Sequence, residues 1–221
     1  MYNGQERIRL NNLTDLHGRT PQRLIMASSS PRRRELIQSL GLRIPVTIMA
    51  SDADESTPAD WTPQQIVEAL ALRKARAVKA MLADVERNHQ APAVVVGADT
   101  IVVLDGEMMG KPLDVREAAG MLRRLQGRTH EVYTGVALVS TMDGREAIAH
   151  RMTQVHMKPL DLRLIERYVA SGEPSDKAGS YAIQGLGATL IDRIEGDYFN
   201  VVGLPLSLLS ELLGEFGIDV I

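Results

Sequence analysis

The chain has 221 residues, 44% of them apolar and 24% charged, and 25 Lys+Arg against 28 Asp+Glu leave a formal net charge of −3. That length holds one domain or two closely fused lobes with a sizeable core, and the near-neutral charge argues against a general nucleic-acid binder, which needs a basic surface. Cysteine is absent, which excludes disulfides, zinc–thiolate sites, iron–sulfur clusters and thiol nucleophiles, and no run approaches the ~18 continuous apolar residues of a membrane span.

Residues 1–22 contain Gly4, Asn11, Asn12, Gly18 and Pro21 with little periodicity and read as a flexible extension to a domain over 23–221. They carry no hydrophobic run and so do not read as a secretory leader; a cytoplasmic protein is the expectation. A short buried strand over 24–27 runs straight into Ser28-Ser29-Ser30-Pro31, a helix start with Ser30 at the N-cap and Pro31 at the first helical position. That helix should end near Gly41. A second strand is expected over 46–49, followed by the acidic loop Asp52-Ala53-Asp54-Glu55.

Thr62-Pro63-Gln64-Gln65 has the form of a capping box and opens a long helix to about Ala83. Its apolar stripe runs through Ile66, Leu70, Val78 and Met81, and Lys74 falls on the same line. The apolar run over 93–104 reads as a strand interrupted by Asp99, with a hairpin turn at Asp105-Gly106. A helix from Asp114 ends by Gly127, two strands over 131–140 and 146–157 flank Asp143-Gly144, and a further helix spans about 161–170. After a Gly/Pro loop, strands are expected over 181–184 and 188–194, then a last helix from Pro205. Helices interleaved with hairpin-linked strands predict an α/β domain with a mixed central sheet.

Four places could carry chemistry. The first is the helix start at Ser28 to Arg34, where free backbone N–H groups and a positive dipole end favour an anion. Arginines in a first turn oppose that dipole, which is tolerable if phosphate oxygens sit there for Arg to grip. The second is Asp99, costly in a buried strand unless paired, bound to a divalent cation or poised to deprotonate a water. The third is the pair Lys74 and Lys111, of which a core-facing Lys74 wants a counter-anion, either Asp99 or a substrate phosphate. Asp54 and Glu55 could add metal ligands. The fourth is the loop from Glu173 to Gly185, in which Gln184 offers both a donor and an acceptor to the edge of a base. There is no P-loop, no Rossmann glycine fingerprint and no Gly-x-Ser-x-Gly elbow, and the five histidines show no metal-ligand spacing. What remains is a hard-ligand set suited to phosphates and Mg²⁺ or Mn²⁺.

Six segments in order resemble the Maf family of nucleoside triphosphate pyrophosphatases. They are 24–33, Gly97-Ala98-Asp99-Thr100, Gly110-Lys111-Pro112, Asp176-Lys177-Ala178-Gly179, Tyr181-Ala182-Ile183-Gln184-Gly185 and Val202-Gly203-Leu204-Pro205. The resemblance implies cleavage of a nucleoside triphosphate to the monophosphate and pyrophosphate, a divalent cation, a fold like that of the inosine triphosphate pyrophosphatases, and a homodimer. It makes Asp99 the catalytic proton acceptor and, with Asp54, a metal ligand. Ser28, Ser30, Arg32, Arg33, Asp54, Lys74 and Lys111 become pocket residues. Arg32, Thr100 and Gln184 match the positions that separate the dTTP/UTP branch from the branch acting on methylated GTP, and all three resemble the former. Two other readings stand beside it: a pyrophosphatase for modified nucleotides, and a nucleotide-binding regulator of cell division. The expected partner is the nucleotide alone, with neither membrane nor nucleic acid.

Overall fold

The computed structural model describes residues 21–85 and 91–221. Apart from Pro21 and Gln22, the predicted extension over 1–22 lies outside the described residues. The elements are β1 (Arg23–Ala27), α1 (Pro31–Ser39), β2 (Val46–Met49), α2 (Pro63–Val85), β3 (Ala93–Leu104), β4 (Glu107–Met109), α3 (Val115–Leu125), β5 (Thr129–Ser140), β6 (Glu146–Met157), α4 (Leu162–Ala170), β7 (Ile191–Glu195), α5 (Tyr198–Val202) and α6 (Leu206–Glu215). The seven strands form one mixed sheet in the order β2-β1-β3-β5-β6-β7, with β4 against the far end of β3. β1 lies parallel to β2 and β3, and the other pairings are antiparallel. This is the predicted α/β class with a mixed sheet flanked by helices.

Strand alternation sorts the core onto two faces. Leu24 and Met26 of β1 with Val94, Val96 and Ala98 of β3 pack under α1 and α6. Ile25, Ala27 and Val95 face Ala75, Val78 and Leu82 of α2. Further along β3, Ile101 and Val103 meet Ile66, Val67 and Leu70 of the same helix. Val102 and Leu104 join α3 and α4 in a separate cluster. The central helix sits very close to the sheet. A Cβ added at Gly97 or Gly135 would fall within 3 Å of the α2 backbone, at Ala71 and Val67 respectively. Only glycine fits at these two crossing points.

The punctuation follows local chemistry. Thr62 and Gln65 exchange reciprocal hydrogen bonds, 2.9 Å from Thr62 N to Gln65 Oε1 and 3.3 Å from Gln65 N to Thr62 Oγ1, which is the capping box at the start of α2. Asp105 and Gly106, with φ of 56° and 78°, make the tight turn between β3 and β4. Ser30 stands at the N-cap of α1, but its side chain makes no capping bond. Ser28 Oγ instead accepts from Ser30 N at 3.2 Å.

Two strand predictions are corrected. Residues 181–184 form no strand, and 188–194 begins as a 3₁₀ turn (Gly185–Leu190) that gives way to β7. Their alternating apolar residues imitate a strand, but left-handed backbone at Gly179, Ser180 and Gly185 folds the chain back on itself. The one-turn helix α5 was not predicted; Asp197 caps it through a 2.8 Å bond from Phe199 N. No helix among the described residues is long and apolar enough to cross a membrane.

Candidate active site

β1 stops at Ala27, paired with Gly97, whereas β3 continues through Leu104. The sheet therefore opens beside Asp99, and a cavity of about 670 Å³ occupies the gap. Odd-numbered residues of β3 face α2, so Asp99 lies on that side, one alternation beyond the glycine that lets the helix approach. Three residues along α2 from Ala71, Lys74 reaches down between two carboxylates. Its Nζ lies 2.6 Å from Asp99 Oδ1 and 2.7 Å from Glu55 Oε1. The lysine and aspartate side chains are 13% and 12% exposed, against 64% for Glu55. Lys74 thus joins a fixed acid to a solvent-facing one. Its hydrogen bond holds the Glu55 carboxyl below the ordinary glutamate range, against the opposing effect of burial.

Thr100 faces the other side of the sheet, toward the start of α1. Arg33 Nη2 donates to Thr100 Oγ1 at 2.9 Å, and its Nε donates to Gly203 O at 2.7 Å. Thr134 Oγ1 lies 2.9 Å from Thr100 Oγ1 and donates to Asn200 O at 2.9 Å. Because Thr134 spends its proton on Asn200, Thr100 must donate to Thr134 while accepting from Arg33. Asn200 Nδ2 in turn donates to Val132 O and Thr153 Oγ1, both at 2.9 Å. Burial pulls the Arg33 guanidinium below its ordinary value, while the charge of Asp99 works the other way. An arginine remains charged under either influence. Arg33 is a cation fixed in place by a buried, directional network.

The rim comes from loops. Arg32 Nη1 approaches Asp176 Oδ2 at 3.6 Å, and Lys177 Nζ donates to Asp176 Oδ1 and Glu173 O at 2.5 and 2.6 Å. Burial raises the Asp176 pKa, but the hydrogen bond and charge of Lys177, with the charge of Arg32 and a backbone bond, together leave that carboxyl below its usual range. Gly179 N donates to Gly110 O at 3.1 Å, which ties this loop to the Lys111 turn. Arg34, by contrast, is exposed and lies away from the cavity wall.

Of the ten residues to which the family resemblance gives a role, nine line this cavity: Ser28, Ser30, Arg32, Arg33, Lys74, Asp99, Thr100, Lys111 and Gln184. Asp54 does not. It is exposed, and its carboxylate turns back to accept from Ser56 N at 2.9 Å and Ser56 Oγ at 2.7 Å. The neighbouring Glu55 takes the lining position instead, held by Lys74 at 2.7 Å. Asp54, expected as a pocket residue and metal ligand, thus lies off the cavity wall in this structure. Sequence reasoning also passed over Asp176 and Lys177 as individual residues, although it marked their loop. The described histidines His130, His150 and His156 lie outside the cavity wall, and His17 and His89 lie outside the described residues.

A model of Maf-like proteins matches residues 23–216. The dTTP/UTP pyrophosphatase of Moorella thermoacetica is 54% identical over 198 residues, covering 90% of this chain and 97% of that protein. Those of Pelotomaculum thermopropionicum and Symbiobacterium thermophilum, under the same description, are 51% and 50% identical over 198 and 199 residues, each spanning 90% of this chain. On this match and these relatives, the chain belongs to the Maf family.

Proposed function

We propose that the chain hydrolyses dTTP and UTP between the α and β phosphates, releasing the monophosphate and pyrophosphate. The observation that carries this reading is the Asp99–Lys74–Glu55 cluster in a cavity that Arg32, Arg33 and Lys111 also line. Its support from relatives is their shared description as dTTP/UTP pyrophosphatases.

Phosphoanhydride cleavage needs positioning and charge neutralisation more than covalent help. Lys74 engages Oδ1 of Asp99, so Oδ2 is the oxygen that takes a proton from the attacking water. The water oxygen forms a new bond to phosphorus as the bridging P–O bond breaks. Arg33, anchored on Thr100 and Gly203, neutralises phosphate charge without having to reorganise. Gln184 offers its amide to the edge of the pyrimidine.

A divalent cation belongs to the proposal. The donor chemistry fits: Asp99 and Glu55, brought to the same part of the cavity on either side of Lys74, are two hard oxygen ligands that would hold such a cation. No group of three or more His, Asp or Glu among the described residues would hold a metal alone. A cation shared between one or two carboxylates and substrate phosphates is how Mg²⁺ is commonly held. When bound, it would neutralise charge on the phosphate oxygens. The proposal also takes over from the family resemblance a homodimer and a cytoplasmic setting, the first testable by sedimentation equilibrium.

The decisive experiment is a panel of dTTP, UTP, CTP, GTP and methylated nucleotides with Mg²⁺, reading pyrophosphate separately from orthophosphate. Pyrophosphate equimolar with dTMP or UMP, and far slower release from the rest, is expected. Orthophosphate as the primary product, or a preference for methylated nucleotides, contradicts the reading.

A further inference from the structure

Gln184 reaches the cavity on a segment that is secured from behind at both flanks. On one side, Ala182 N donates to the hydroxyl of Tyr168, on α4, at 3.1 Å. On the other, Gly187 N donates to Glu173 Oε1 at 2.8 Å and Leu186 N donates to Glu173 Oε2 at 3.0 Å. Tyr168 closes the arrangement by donating its own hydroxyl to Glu173 Oε1 at 2.9 Å. One tyrosine–glutamate pair therefore holds residues 182, 186 and 187, with Gln184 between them.

The packing is fitted to this pair. A Cβ at Gly185, where φ is +63°, would come within 3 Å of Glu173 Oε2, and one at Gly187 would crowd both Ala182 O and the Tyr168 hydroxyl. Neither Tyr168 nor Glu173 lines the cavity, whereas Tyr181, Ala182, Ile183 and Gln184 all do. The same glutamate also reaches the rim, because its backbone carbonyl accepts from Lys177 Nζ at 2.6 Å and Lys177 holds Asp176. Burial works against the charged form of Glu173, but bonds from Gly187 N, Tyr168 and Leu186 N keep its carboxyl below the usual range. Burial raises the Tyr168 hydroxyl, which stays a neutral donor.

We infer that Glu173, together with Tyr168, is a positioning residue for base recognition: it sets the conformation of residues 182–187 and so fixes where Gln184 meets the nucleobase. This rests on the pyrophosphatase reading above. It assigns Glu173 a task in selectivity without contact with the substrate, and with it a separable effect on KM and discrimination.

The test is steady-state pyrophosphate release by full-length wild type, Glu173→Gln and Tyr168→Phe on dTTP, UTP, CTP and GTP, with thermal melts and amide exchange on each. Losing one charge-assisted contact should raise KM for dTTP and UTP about tenfold in Glu173→Gln, with a smaller fall in kcat. Its preference for dTTP and UTP over CTP and GTP should shrink, and the amides of residues 186 and 187 should exchange faster than in wild type. Tyr168→Phe should shift KM about threefold in the same direction and free the amide of residue 182. An unchanged KM and preference in a folded Glu173→Gln overturns the inference. If that variant fails to fold, an unchanged KM and preference in Tyr168→Phe overturns it instead. A wild type that releases no pyrophosphate from any of the four overturns the underlying reading, a result distinct from either of these.

Discussion

The two faces of β3 solve different problems one residue apart. On the α2 side, Asp99 meets a lysine that is shared with a solvent-facing glutamate, so the contacts are few, charged and open to exchange with a ligand. On the α1 side, Thr100 belongs to a run of directional hydrogen bonds from Arg33 through Thr134 to Asn200, buried throughout beyond Thr100. Ion pairs tolerate rearrangement, whereas a buried run of directional hydrogen bonds favours one geometry. The first face is suited to chemistry and the second to holding a cation still.

The largest effect should come from the α2 side. Asp99→Asn keeps shape and removes the proton acceptor, so kcat for pyrophosphate release should fall about 10³-fold. Circular dichroism should show an unchanged fold.

Behind the cavity, His130 shares a 2.7 Å hydrogen bond with Tyr181, which lines the wall. Burial, with a smaller contribution from nearby His156, pushes its pKa from 6.5 down to about 4. The folded chain therefore resists protonating His130 while the unfolded chain takes the proton readily. Stability from this group is complete above pH 6.5 and is lost as pH falls from there toward 4, a total of about 3 kcal/mol at ~1.4 kcal/mol per pH unit. Denaturant melts of wild type and His130→Gln across that window check it, and the wild type should lose more stability.

Glu55 and Asp54 sharpen the comparison by a control one residue away. Glu55→Gln should lower kcat/KM about thirtyfold through loss of its charged contact with Lys74, whereas Asp54→Asn should change it less than about twofold, as surface changes do. Glu55 is held below its usual range by Lys74, so the contact persists down through pH 4.5 and is lost only as pH falls through the depressed value. Wild-type kcat/KM should accordingly carry no rise attributable to Glu55 between pH 5 and 7. The smallest effect belongs to Thr100→Val, which cuts the link between Arg33 and Thr134. A fivefold rise in KM, about 1 kcal/mol, is the expected outcome.

Much of this layout is legible in the sequence because it follows periodicity. Lys74 on an apolar stripe and Asp99 in an apolar strand each violate a pattern, and each violation marks the other's partner. The choice between Asp54 and Glu55 carries no such mark, since a loop has no period and Ser56 decides which carboxylate turns away. Residues 181–184 mislead for a related reason. Their alternation is strand-like, but Gly179, Ser180 and Gly185 bend the backbone, and Tyr168, distant in sequence, takes the Ala182 amide that a strand partner would have used. Arg33 was expected to grip phosphate; its anchoring on Gly203, 170 residues away, was beyond any local signal.

The division between the faces of β3 is tested most directly by measuring kcat and the dissociation constant for dTTP side by side in Asp99→Asn and Thr100→Val. Asp99→Asn should lose turnover while binding dTTP within about threefold of wild type, and Thr100→Val should lose affinity while keeping most of its turnover. Near-normal turnover in Asp99→Asn, or the same parameter failing in both variants, would contradict the account.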